Sequence, residues 1–175
     1  MKKKIKYKIG LLGGTFDPAH TGHVEISKEA KKRYNLKKVI WAITKKNPFK
    51  NKTKDSLKQR ILFAKKINKK NKFIKVIFVE KKIKSNRTID LINYLKKNKP
   101  SYKIYLIMGA DNLINFHRWK KHDQISSKCN ILVFDRSGYK VKSLRSVSFR
   151  KYKKKGLEFI NFKKVNISSS QLRKI

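Results

Sequence analysis

A single cysteine, Cys129, stands in the whole sequence. With one thiol, an intrachain disulfide and a cysteine-based zinc cluster are both excluded. Cys129 opens an apolar run, where a buried and inert thiol is expected. Long hydrophobic runs are missing too, since no stretch approaches the ~18 apolar residues of a membrane span. The basic start Met1-Lys2-Lys3-Lys4 leads through a short apolar stretch straight into Gly13-Gly14-Thr15. No small-residue cleavage pattern follows, so a cytoplasmic protein is expected rather than a secreted one. Neither repeats nor a linker-like break divide the 175 residues. That length suits one domain with one core, given typical domains of ~100–200 residues.

Negative charge is scarce. Ten Asp and Glu face 49 Lys and Arg, for a formal net charge of +39. Such a field attracts polyanions, so a nucleic-acid or membrane-surface protein is one reading. Only eight of the 49 are Arg, and the Lys excess accompanies many Ile and Asn, the usage an AT-rich genome favours. The basic residues also lie along the whole chain, in clusters such as Lys31-Lys32-Arg33 and Lys153-Lys154-Lys155. Nucleic-acid readers instead gather them into one stripe with interleaved aromatics. A coding bias is therefore the preferred reading, and the same field would help capture a nucleotide.

What the sequence does have is a regular alternation. Hydrophobic residues make up only 39% of it, yet they recur in runs such as Ile104–Met108 and Asn130–Phe134, which a disordered chain lacks. Ile5–Leu12, Lys38–Ile43, Phe73–Val79, Tyr102–Met108, Asn130–Asp135 and Leu157–Ile160 read as strands. Between them, Gly22–Tyr34, Asp55–Asn68 and Thr88–Lys97 read as helices, and Asp111–Phe116 as a short one. Val24, Ile26 and Ala30 form the apolar face of the first helix; Leu57, Ile61, Leu62, Ala64 and Ile67 form that of the second. Thr44–Lys52 reads as a polar loop broken by Pro48, and Ser168–Lys174 as a terminal helix with a Ser N-cap. Strands alternating with helices predict one doubly wound α/β domain with a parallel sheet. Its ligand should lie at the carboxyl ends of the strands, so the turns after strands one and four are where chemistry is expected.

The first of those turns reads Gly13-Gly14-Thr15-Phe16-Asp17-Pro18-Ala19-His20-Thr21-Gly22-His23. Its glycines let backbone approach a ligand closely. The next helix points free N–H groups and its positive dipole end back at the turn, which suits a phosphate. His20 and His23 are three apart, so both rings reach one side of the same spot. Two imidazole donors there suit phosphoryl oxygens that gain charge during transfer. Two histidines can also hold a metal, but no third ligand at a familiar spacing accompanies them, and no metal site is assigned. Near the chain's end, the hydroxyls of Ser168, Ser169 and Ser170 can donate to phosphate oxygens, and Arg173 adds a forked cation. Trp119 suits either the core or a stacking role against a flat ring. Asp111 lies just past strand four, where an acidic residue can hold a ribose hydroxyl.

Taken together, Gly13-Gly14-Thr15-Phe16-Asp17-Pro18 followed by His20-Thr21-Gly22-His23 resembles the nucleotidyltransferase superfamily, and within it the bacterial nicotinate-nucleotide adenylyltransferases. Asn166-Ile167-Ser168-Ser169-Ser170-Gln171-Leu172-Arg173 is similar to that family's second phosphate motif. Gly109-Ala110-Asp111-Asn112-Leu113, with Phe116 and Trp119, resembles its segment after strand four. Thr88-Ile89-Asp90 resembles its substrate-carboxylate loop, and Ser56 and Arg60 fall where the family has a Ser and an Arg. The sequence departs from the family at Asn47-Pro48-Phe49-Lys50, where Pro-Pro-His-Lys is common. Leu91 and Ser170 also stand where Thr is usual.

The resemblance implies a Rossmann-like, three-layer α/β/α fold. It also implies transfer of AMP from ATP to nicotinate mononucleotide, giving nicotinate adenine dinucleotide and pyrophosphate, with Mg²⁺ bridging the phosphates. His20, His23 and Arg173 would be catalytic, and Gly13, Gly14, Thr15, Phe16, Ser168, Ser169 and Ser170 would join them in binding ATP. Asp17, Lys50, Thr88, Ile89, Gly109, Asp111, Trp119 and Arg136 would meet the mononucleotide. Nicotinamide mononucleotide or pantetheine phosphate would fit the same phosphate machinery. A non-catalytic basic nucleic-acid-binding protein would explain the charge and leave both phosphate motifs idle.

Overall fold

Six strands form one all-parallel sheet in the order β3-β2-β1-β4-β5-β6. They are β1 (Tyr7–Gly14), β2 (Lys38–Ile43), β3 (Ile74–Ile77), β4 (Tyr102–Gly109), β5 (Asn130–Phe134) and β6 (Leu157–Ile160). The computed structural model describes residues 7–47 and 52–162. Chain order runs outward in both directions from β1, so the connection reverses between β1 and β4. A crevice opens at such a reversal, because the crossovers on its two sides depart to opposite faces.

The central strands are apolar on both sides because both sides are covered. Ile9, Leu11, Ile104, Leu106, Met108, Ile131 and Val133 pack on one face. They meet Ile89, Ile92 and Leu95 of α4 (Thr88–Asn98), Leu113 of α5 (Ala110–Ile114), Ile125 of α6 (His122–Lys128) and Tyr152 of α8 (Val147–Tyr152). On the other face, Leu12, Val39, Trp41, Ile43, Ile107 and Leu132 pack on Val24 and Ala30 of α1 (Thr21–Tyr34) and Ala64 of α2 (Leu57–Ile67). Gly10 is what lets these layers close. A Cβ there would sit 2.8 Å from Ile107 Cδ1 and 3.1 Å from both Leu36 Cδ1 and Val39 Cγ2.

The expected α/β layering holds, and its edges shift. β1 starts at Tyr7 and runs on through Gly13 and Gly14, which pair with Ala42 and Ile43 of β2. α2 begins at Leu57, where Ser56 and Gln59 form a capping box. Leu62, expected on the apolar face of α2, is 57% exposed instead. The position that turns inward is Arg60, 2% exposed. The segment after β4 forms two pieces rather than one helix, α5 and a 3₁₀ turn at Phe116–Arg118. Four further short helices are new among the described residues: α3 (Glu80–Ile83), α6, α7 (Lys140–Leu144) and α8. The expected terminal helix, Ser168–Lys174, lies outside the described residues. Cys129 is buried as expected, and burial pushes its thiol pKa up to about 12. Among the described residues, no helix is long and apolar enough to cross a membrane.

Candidate active site

β1 delivers Gly13 and Gly14 to the crevice, and a tight turn then carries the chain into α1. His20 is the N-cap of α1. Its Nδ1 accepts from the Gly22 N–H at 3.1 Å, and its own N–H donates to Nδ1 of His23 at 3.2 Å. The pair thus builds a capping box from two imidazoles, where Ser and Glu are the usual occupants. An accepting ring nitrogen carries no proton, so each neutral ring holds its proton on Nε2. The ring centroids are 3.9 Å apart.

Buried aromatics seat this pair. Phe16, at φ 48°, stacks on Trp41 with centroids 4.9 Å apart and planes 18° apart, and its ring lies 4.8 Å from that of His23. Trp41 Nε1 donates to Ser27 Oγ at 2.9 Å, and Ser27 Oγ donates to the His23 carbonyl at 2.7 Å. A positive φ on a bulky residue is strained, and such strain is kept where the surroundings over-determine it. Here Trp41 below and His23 beside the Phe16 ring do so.

A cavity of about 490 Å³ runs along the carboxyl ends of the strands, within the ~300–1,000 Å³ usual for ligand sites. Gly13, Gly14, Thr15, Phe16, His20 and His23 line it, as do Thr88, Leu91, Gly109, Asp111, Trp119 and Arg136. Arg136 Nη1 donates to Asp111 Oδ2 at 2.6 Å. Gly109 makes room for that carboxylate, since a Cβ on it would lie 2.5 Å from Asp111 Oδ1. Trp119 follows the 3₁₀ turn, its ring edge-on to Phe116 at 5.4 Å. The segment bearing it is tied to α8 at both ends. The His117 N–H donates to Ser148 Oγ at 2.9 Å, and His122 Nδ1 bonds the Tyr152 hydroxyl. Among the described residues, five cationic side chains line the cavity (Lys46, Arg87, Arg118, Lys120 and Arg136) against three carboxylates, Glu80, Asp111 and Asp135. The walls therefore favour an anionic ligand.

Two expected residues stand outside those walls. Asp17 is 1% exposed, and its carboxylate accepts from the Lys54 N–H at 2.8 Å and the Asp55 N–H at 3.0 Å. Its visible task is to join the β1–α1 turn to the entry of α2. The Ile89 side chain, also 1% exposed, belongs to the core. Thr88 and Ile89 form the first turn of α4 rather than a loop, so Ile89 can reach a ligand only through first-turn N–H groups. Lys50, Ser168, Ser169, Ser170 and Arg173 lie outside the described residues. Phe162, just past β6, lines the cavity and packs edge-on against Phe134 at 5.6 Å.

Sequence reasoning missed Glu80 and underrated Arg60. Glu80 lines the cavity, accepting from the Thr44 hydroxyl and, at 3.1 Å, from the Lys45 N–H. Arg60 donates to four main-chain carbonyls: Thr15 at 2.5 Å, Thr44 at 2.8 Å, Lys45 at 3.1 Å and Asp55 at 3.2 Å. Burial lowers its pKa from the ordinary arginine value, and the nearby carboxylates of Asp17, Glu80 and Asp55 oppose that. No local pattern marks Glu80, which opens a helix of four residues, and the resemblance marked Arg60 by position without giving it a task.

The site is thus an anion-favouring crevice at the switch point of a doubly wound sheet, with a histidine pair in its wall. The cytidylyltransferase-like family model matches residues 11–175, and the chain belongs to that family. A probable nicotinate-nucleotide adenylyltransferase of Pelagibacter ubique (strain HTCC1062) is 69% identical over 170 residues, covering 97% of this chain and 94% of the relative. One from Ruegeria sp. (strain TM1040) is 33% identical over 144 residues, covering 82% and 76%. In fold, the chain is similar to the Plasmodium falciparum nicotinic acid mononucleotide adenylyltransferase complexed with NaAD. That likeness has a TM-score of 0.74 at 20% identity and covers 97% of this chain and 83% of the other.

Proposed function

We propose that the chain is an adenylyltransferase that joins ATP and nicotinate mononucleotide to give nicotinate adenine dinucleotide and pyrophosphate. The observation that carries this is one continuous cavity holding the His20–His23 pair at the switch point and an indole, Trp119, elsewhere in its wall. The names of the relatives support the choice of nicotinate.

The mononucleotide phosphate is already a nucleophile, so no general base is needed. Its oxygen bonds to the α-phosphorus of ATP as the bond from that phosphorus to the bridging oxygen breaks, and pyrophosphate departs with the electron pair. Catalysis then rests on alignment and on neutralising charge that grows at the α-phosphate. His20 and His23 present Nε2–H donors to that charge, and Gly13 and Gly14 keep the approach open. Ser168, Ser169, Ser170 and Arg173 hold the β- and γ-phosphates in this reading. Trp119 stacks on the pyridine ring, first-turn N–H groups of Thr88 and Ile89 meet its carboxylate, and Asp111, paired with Arg136, accepts from a ribose hydroxyl. Lys50 belongs to the same mononucleotide set. Among the described residues no three His, Cys, Asp or Glu cluster as a cation cage. Mg²⁺ would enter with the triphosphate and would offset charge on the departing pyrophosphate. A cytoplasmic setting belongs to the same proposal.

Pyrophosphate release from ATP, measured with nicotinate mononucleotide, nicotinamide mononucleotide and pantetheine phosphate in parallel, tests the reading. Nicotinate mononucleotide should give the highest kcat/KM. Turnover confined to pantetheine phosphate would redirect the substrate assignment. No turnover with any of them, alongside retention of DNA or RNA on a filter, would replace catalysis with nucleic-acid binding.

A further inference from the structure

The last ladder bond between β1 and β2 runs from the Thr44 N–H to the Gly14 carbonyl, at 2.9 Å. Beyond it the two strands part to open the crevice, and the carbonyls of Thr15 and Thr44 are left to each other across the gap. A single nitrogen, Arg60 Nη1, donates to both, at 2.5 and 2.8 Å. Nη2 extends the bridge to Lys45, and Nε ties it to Asp55 at the entry of α2. The Asp17 carboxylate takes the N–H groups of Lys54 and Asp55. The turn bearing the histidines and the segment between β2 and α2 are therefore joined by two buried charged side chains. Arg60 does not line the cavity.

A buried guanidinium is costly unless its donors are met, and an apolar residue at this point of α2 would pack at no such cost. We infer that Arg60 is a positioning residue of the nucleotide site, which takes over from the sheet ladder where the ladder ends and sets the width of the crevice between Thr15 and Thr44. It acts on ATP through the turn that carries Phe16, His20 and His23, and through Thr44, which with Glu80 lines the facing wall. The Trp119 region is held separately, by α8. Loss of Arg60 therefore reaches one substrate and not the other. Lysine cannot substitute, because its ammonium is a compact point charge and cannot span four carbonyls as a fork does. The inference rests on the adenylyltransferase reading for the identity of the nucleotide.

The test uses the full chain with Arg60→Lys. The readouts are calorimetric affinity for a non-hydrolysable ATP analogue and steady-state KM for each substrate. Affinity for the analogue and kcat/KM for ATP should fall roughly tenfold to a hundredfold, the effect of a misplacement of about 1 Å. KM for nicotinate mononucleotide should stay at the parent's value. Parental affinity for the analogue, or equal losses for both substrates, would overturn the inference. Should Arg60→Lys fail to fold, Asp17→Asn weakens the same joint. The same ATP-selective loss is expected there, and parental ATP affinity would overturn the inference. The binding arm needs no mononucleotide. A parent chain that binds the analogue and turns over no pyridine nucleotide would sink the functional reading while leaving the Arg60 comparison to be judged on binding.

Discussion

His20 and His23 cap each other: the His20 N–H donates to His23 Nδ1, and His20 Nδ1 accepts from the next turn's Gly22 N–H. The arrangement uses both Nδ1 lone pairs inside the helix start. Each neutral ring then carries its proton on Nε2, and the ring centroids lie 3.9 Å apart. Nitrogen-15 spectra of the histidine rings at neutral pH should therefore show both as the Nε2–H tautomer. A Nδ1–H signal from either ring would contradict the capping geometry.

In the proposed mechanism the mononucleotide and the triphosphate have separate anchors, so their losses should separate. Trp119→Ala removes a stacking partner worth ~0.5–1.5 kcal/mol beyond its area. It should raise KM for nicotinate mononucleotide up to about tenfold while leaving KM for ATP near the parent's. Arg173→Ala should do the reverse, since a charge-assisted hydrogen bond contributes ~1.5–3 kcal/mol. Steady-state kinetics on both variants check this. A rise in the same KM from both would contradict the division.

With a cavity wall richer in cations than in carboxylates and a formal net charge of +39, capture of ATP should be salt-sensitive. Added salt shortens the Debye length from ~10 Å at 0.1 M to ~3 Å at 1 M. KM for ATP should rise across that range, more steeply than kcat falls. A KM that ignores ionic strength would show that the field plays no part in capture.

The same close approach that seals the sheet makes Gly10 intolerant. Gly10→Ala places a Cβ 2.8 Å from Ile107 Cδ1 inside a filled layer, and overpacking of this kind costs about 1–3 kcal/mol. Thermal unfolding should show a lower Tm, with kinetics of the folded enzyme unchanged. A Tm at or above the parent's would contradict the packing.

The strands were readable because parallel strands buried on both faces spell continuous apolar runs, as Ile104–Met108 does. The histidine turn was readable because its residues are consecutive. Elements that defy the usual pattern of apolar inside and polar outside were not. α7 and α8 expose Val141 and Val147 while burying Ser143 and Ser148, so their periodicity points the wrong way. α2 does the same, turning Leu62 out and Arg60 in. Its buried position is dictated by carbonyls from Thr15, Thr44 and Lys45, distant in sequence from Arg60. Asp17 looked like a ligand contact because it sits in the phosphate turn. Its partners, Lys54 and Asp55, lie 37 and 38 residues on, where no local pattern reveals them.

The central claim is that the imidazole pair carries the chemistry, and His23→Ala measures it most directly. The readout is pyrophosphate release at saturating ATP and nicotinate mononucleotide, on a variant with parental circular dichroism. The proposed mechanism predicts a kcat lower by ~10²–10³-fold, the loss expected for one preorganised donor. A folded His23→Ala enzyme turning over at the parent's rate would contradict it.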